Sequence, residues 1–142
     1  MRYYKQTEKL LEKLPRQIQV EFALYCAKDV LHLVLEKNKV DTQNCMDTVE
    51  GYLRGEKTGK DCLNITRIIY IGNNNVGAAD AAVYYTVNAA AADKTVYIAY
   101  NATEAAYWAA KAKKVGIKEY YEVLLSWTNE LSIIEKLIYG IE

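Results

Sequence analysis

The stretch "VYYTVNAAAADKTVYIAYNATEAAYWAAKAKK", Val83 to Lys114, brings alanine and the largest aromatic side chains together in one segment. On a helical wheel at about 100° per residue, residues 96 to 112 separate into two sectors. Ala99, Ala102, Ala105, Ala106, Ala109, Ala110 and Ala112 share one half. Tyr97, Tyr100, Asn101, Glu104, Tyr107, Trp108 and Lys111 gather in roughly a third of the circumference on the other side. Small and large residues therefore face opposite ways. The alanine face lets a neighbouring helix approach closely with little side-chain entropy lost. The preceding helix, with Ala79, Val83, Val87 and Ala90 in one apolar row, is its expected partner.

The aromatic face has two readings. A Tyr/Trp stripe at helical spacing is a core face whose hydroxyls reach water at the rim, or it is a recognition surface, half apolar and half hydrogen-bonding. The core face is the commoner of the two, and thirteen tyrosines against one phenylalanine raise the weight of the second, because a face meant only for burial is ordinarily filled partly by Phe.

Outward from this segment the pattern stays helical. One proline and seven glycines leave few turns, and apolar residues seldom alternate with polar ones. Expected helices cover about residues 3 to 13, a run opened by Pro15 and continuing through "DVLHLVL", and Asp41 to Leu53 with Asp41 as N-cap and Gly55 as the stop. A further helix is opened by the Thr58–Asp61 capping box and ends near Gly72. Val76 to Ala92 and Lys94 to Lys114 follow, with Asp93 as a break or a bend between them. After Gly116, a last helix repeats Tyr120, Leu124, Trp127, Leu131, Ile134 and Ile138 and closes at Gly140. The expected fold is an all-α single-domain bundle of about six or seven helices spanning residues 1 to 142.

Eighteen basic residues balance eighteen acidic ones, so no global field draws the chain to nucleic acid or anionic lipid. Cys26, Cys45 and Cys62 are odd in number and lack zinc-site spacing, which reads as reduced thiols and no metal. Without a signal-peptide run or a membrane span, a cytoplasmic protein is expected, and the Asn64 and Asn101 acceptor patterns go unglycosylated.

Catalytic chemistry finds little footing. The single histidine, His32, sits in the apolar "DVLHLVL" run as an interior or rim imidazole that Asp29 is spaced to orient, a pair without a nucleophile. "GNNNVGAAD" has glycines spaced as in a phosphate loop but carries Ala78 and Ala79 where Lys and Ser/Thr belong. Neither an enzyme nor a cofactor is expected.

At "ALYCAKDVLHLV" and "CMDTVEGYLRGEKT" the chain resembles a family of helical immunity proteins. The likeness lies in Tyr25, Cys26, Ala27, Lys28, Asp29, Val30 and Leu31, then Tyr52, Arg54, Gly55 and Glu56, with the alanines of 78 to 112 behind them. Lys28–Asp29 stands where that pattern has Glu–Arg, and the histidine often found among the alanines is missing. The resemblance implies a non-enzymatic binding protein that neutralises or sequesters a partner, such as a protein toxin or effector. It is also similar to small phage accessory proteins, which implies the alternative of a sponge for a nucleotide-like signal. In that case tyrosines stack the base, and Arg67, Tyr84 and Asn88 of neighbouring helices complete an inter-helix or inter-subunit pocket with the aromatic face. A homo-oligomer, a dimer above all, is expected because so many Tyr and Trp side chains need cover.

Overall fold

The computed structural model describes residues 2–66 and 77–139, with side chains as far as Ser132 in the last helix. Among these residues there are seven α-helices and no strand. They are α1 (Arg2–Glu12), α2 (Arg16–Asp29), α3 (Lys39–Leu53), α4 (Gly59–Ile65), α5 (Ala78–Ala91), α6 (Thr95–Lys113) and α7 (Lys118–Tyr139), and two 3-10 turns at Leu31–Leu33 and Glu36–Asn38 lie between α2 and α3. The all-α bundle expected from the periodicity is the fold. The expected stops at Gly72 and Gly140, the Asn-rich turn before Gly77, and Arg67 lie outside the described residues.

Helices α5 and α6 form its centre as an antiparallel pair. Ala92 and Lys94 both adopt extended backbone, so Asp93 lies in a true break. Ala99, Ala102, Ala105, Ala106, Ala109 and Ala110 are all buried, as are Ala79, Val83, Val87 and Ala90 of the facing helix. Alanine buries little area per residue, but its methyl group lets backbones come close and forfeits no rotamer freedom. Close approach also shows between α5 and α2, where the Thr86 hydroxyl donates to the Ala23 carbonyl at 3.0 Å. Helix α2 contributes Val20, Phe22, Leu24, Cys26 and Ala27 to the same core. At the far end of α5, the Arg16 guanidinium donates to the Ala90 carbonyl at 3.0 Å, a cation satisfying a helix C-terminus.

The expected course of α2 through "DVLHLVL" is corrected. The helix ends at Asp29, and His32 is exposed on the first 3-10 turn. Tertiary bonding overrides the apolar periodicity here: the fully buried Asp80 carboxylate, in the first turn of α5, accepts from the Leu35 amide at 3.1 Å and from the Asn38 side chain. A continuous helix would carry both donors away from it. Asp29 is likewise not oriented toward His32, since its carboxylate accepts from Lys113 Nζ at 2.9 Å and from the Tyr120 hydroxyl at 2.7 Å. These two bonds hold its pKa below the ordinary carboxylate value, against the opposing push of burial. They also fasten α2 and α6 to α7, whose Tyr120 and Leu124 are buried.

Asp41 is in the first turn of α3 and is not its cap, because the helix begins two residues earlier. The capping box of α4 is present as the sequence reads, with the Asp61 amide donating to Thr58 Oγ1 at 3.2 Å and the Thr58 amide to the Asp61 carboxylate at 2.7 Å.

The end of α6 has an unexpected residue in the left-handed region. Lys114 has φ 61° and ψ 40°, and the Val115 amide closes the turn on the Ala110 carbonyl at 2.9 Å. A residue with a Cβ is strained there by about 1–2 kcal/mol. Lys114→Gly relieves that strain and gives back part of it in unfolded-chain entropy. Its expected effect is a gain of about 0.5–1 kcal/mol in chemical denaturation.

Candidate functional site

Helix α1 lies antiparallel along the aromatic face of α6 and divides it. Tyr4 meets the middle of α6, where its hydroxyl donates to Glu104 Oε1 at 2.6 Å. The other carboxylate oxygen of Glu104 accepts the Trp108 indole N–H at 3.0 Å. One acid thus satisfies the polar ends of two aromatics. Burial first, and the bond to Glu104 second, push the Tyr4 hydroxyl well above the usual phenol range, so it remains a donor. Tyr107 takes the edge-to-face position against both Tyr4, at 6.1 Å between centroids, and Trp108, at 5.3 Å.

Toward the start of α6 the face stays open. Val96 is 58% exposed, Tyr97 54% and Tyr100 41%, and with Glu8 and Glu12 of α1 they line a shallow groove. Asn101 turns its amide to the Tyr97 carbonyl of its own helix at 2.8 Å. Tyr84 and Asn88, expected to complete a pocket, are half-buried one turn apart on α5. Tyr84 packs edge-on against Tyr85 at 5.3 Å. It is Tyr85 that approaches the face: burial, followed by the nearby Glu104 and Tyr100, raises its hydroxyl pKa.

Toward the end of α6 the same face becomes concave. Helix α1 and the start of α7 border an open-mouthed cleft of about 310 Å³, with Tyr3, Tyr4 and Tyr107 as its rings and Ala110, Val115 and Ile117 as its apolar lining. Arg2, Lys111 and Lys118 stand around it, and none of the described lining residues is acidic. Each cation lies against a ring. Lys111 Nζ is 5.2 Å from the Tyr107 centroid, and Arg2 and Lys118 are 5.6 and 5.7 Å from that of Tyr3. The groups are mutually supported, with Tyr3 also packing on Tyr121 of α7 at 5.6 Å.

The expected site residues are therefore separated. Tyr107 and Lys111 reach the cleft, Glu104 and Trp108 brace its α1 side, Tyr97, Tyr100 and Asn101 face the open groove, and Tyr84 and Asn88 stay on α5 outside both. Sequence reasoning missed Arg2, Tyr3, Tyr4 and Lys118. The available signal was "RYYK" at the start of α1, two adjacent tyrosines flanked by two cations.

Elsewhere, burial pushes the Cys26 thiol up, the Cys45 thiol to about 12 and the Cys62 thiol to about 11. No group of three potential metal ligands occurs among the described residues, and no described helix is long and apolar enough to cross a membrane.

Comparison of the chain with protein-family models, curated proteins and solved structures gives no match.

Proposed function

We propose that this chain is a binding protein that performs no chemistry on what it holds, and that it sequesters a small molecule bearing a flat aromatic group in the cleft between α1, α6 and α7. The observation that carries this reading is the concavity. A single aromatic helix face offers only a surface, whereas α1 laid against it and the start of α7 at its end border an open-mouthed cleft near the lower end of the volumes typical of small-molecule sites. The walls combine stacking rings with a few directional polar groups, the composition such sites favour. Protection by removal of a signal agrees with the immunity or anti-defence role implied by the family likeness.

Two features favour binding over catalysis. The three thiols are buried and held protonated at neutral pH, so none is a ready nucleophile. His32 stands on a surface turn, and the neighbouring acid, Asp29, is committed to Lys113 and Tyr120.

A second reading draws on the open end of the same face. Exposed Val96, Tyr97 and Tyr100 beside Glu8 and Glu12 suit a protein toxin or effector, or a second copy of this chain in a homodimer, because aromatic anchors rimmed by charge are the usual anatomy of such contacts.

Paired truncations separate the readings. For the cleft, Tyr107→Ala is expected to weaken small-molecule binding in calorimetry by about 1–3 kcal/mol, the loss of one stack, while Tyr97→Ala leaves it unchanged. Binding insensitive to Tyr107→Ala, together with loss of a protein partner in Tyr97→Ala, selects the second reading.

A further inference from the structure

We propose that the ligand of the cleft is phosphorylated: a mononucleotide-sized molecule whose ring lies against Tyr3 and Tyr107 and whose phosphate is held by Arg2, Lys111 and Lys118. This rests on reading the cleft as the binding site, and adds the chemical class of what enters it.

The charge arrangement is the first ground. Three cations converge on one small cleft with no acidic residue among the described lining, in a chain whose total charge is zero. Like charges gathered in this way repel one another, and an anion placed among them turns that repulsion into attraction. Among the described residues, the ion pair that any of the three makes is Lys118 with Glu122, at a loose 3.8 Å with both side chains more than half exposed. Such a pair is weak and easily exchanged for a ligand oxygen.

Local stability accounts for Lys111 through its place on the helix, and for Lys118 only through its contact with the Tyr3 ring. Lys111 stands in the last turn of α6, where the helix dipole favours a cation. Lys118 is the first residue of α7, the positive end of that helix, where a cation is disfavoured. Its i,i+4 pair with Glu122 also runs in the weaker orientation, base before acid. Lys118 is thus placed at a cost to its own helix, on the wall of a cleft that two other cations share. The same dipole that disfavours Lys118 favours a bound anion, so phosphate would reconcile the two.

Size and ring chemistry narrow the class. About 310 Å³ has room for one ring and a short phosphate. Three tyrosine rings line the cleft, and stacking on such rings tolerates any base once the cation over a ring moves to the phosphate. Lys111 and Lys118 donate as point charges, and the Arg2 guanidinium matches two phosphate oxygens at once.

The test titrates the full chain calorimetrically with the four nucleoside 5′-monophosphates, the four matching nucleosides and inorganic phosphate, at two salt concentrations. A Lys111→Gln/Lys118→Gln variant, checked by circular dichroism for an unchanged helical fold, is titrated in parallel. The expected result is a monophosphate that binds at least tenfold more tightly than its nucleoside and weakens as salt rises. In the double variant its Kd should rise toward the nucleoside value, with Arg2 left as the remaining phosphate contact. Nucleoside and nucleotide binding equally overturns the phosphate assignment and leaves the aromatic cleft standing. Inorganic phosphate binding as tightly as the nucleotide removes the ring. Tight nucleotide binding undiminished in the double variant places the phosphate elsewhere and overturns the proposal. No binding by any of these ligands to folded protein overturns it too, and Tyr107→Ala tested on other small aromatics then decides whether the cleft reading falls with it.

Discussion

Ala106→Leu is expected to destabilise the protein by about 2–3 kcal/mol, near the top of the range for inserting carbon atoms into a filled core. Ala106 has no exposed surface and belongs to the alanine face that α6 presents to its neighbours in the bundle. Three added carbons have no void to enter, so they displace a neighbouring helix or take an unfavourable rotamer. For a domain of this size the change corresponds to a fall of roughly 10 °C in melting temperature. Ala112→Leu, on the same helix but half-buried, is the control and is expected to cost little. Equal effects at the two positions would mean that the helices do not meet through their alanines.

The second large effect is expected at Glu104. Its two oxygens accept from the Tyr4 hydroxyl and from the Trp108 indole, joining α1 to α6 where the cleft begins. Glu104→Ala leaves both donors without that acceptor in a partly buried place, at a cost of about 2–3 kcal/mol, since bonds to charged groups are the stronger ones. Glu104→Gln keeps one acceptor oxygen and is expected to lose about half as much. The loss should be local as well as global. Amide hydrogen exchange in α1 should accelerate in Glu104→Ala, while α5 keeps protection close to its global value. Uniform acceleration throughout the chain would show that Glu104 serves the core generally and not the attachment of α1.

The sequence made the fold largely legible and the site only in part, for one physical reason. Periodicity, caps and glycines are local, so the Thr58 capping box, the α5–α6 boundary near Asp93 and the split of α6 into alanine and aromatic faces could be read within a few turns of chain. Where distant residues decided the outcome, local reading failed. Asp80, forty-five positions along, takes the Leu35 amide that a continued α2 would have used. Nothing near His32 announces that. The cleft had the same difficulty in stronger form. Tyr107 and Lys111 were visible as a helical face, but the residues that make it concave, Arg2, Tyr3 and Tyr4, come from the opposite end of the chain, and Lys118 comes from the next helix. A wheel displays one helix at a time and carries no information about which second helix will lie against it. The left-handed Lys114 went unread because Gly116, two residues on, is the usual marker for such a turn.

On the function proposed above, a small molecule enters the cleft bounded by Tyr107 and Lys111. Trp108 is well placed to report on it, since its ring is 5.3 Å from that of Tyr107 and 5.6 Å from Lys111 Nζ. The chain has two tryptophans, so Trp127→Phe leaves Trp108 as the only one. In that background, titration with the nucleoside monophosphates is expected to give a saturable change in tryptophan emission, shifted to higher concentrations by Lys111→Gln/Lys118→Gln. Emission that stays constant while calorimetry on the same sample registers binding would contradict the account, because the ligand would then occupy some other part of the molecule.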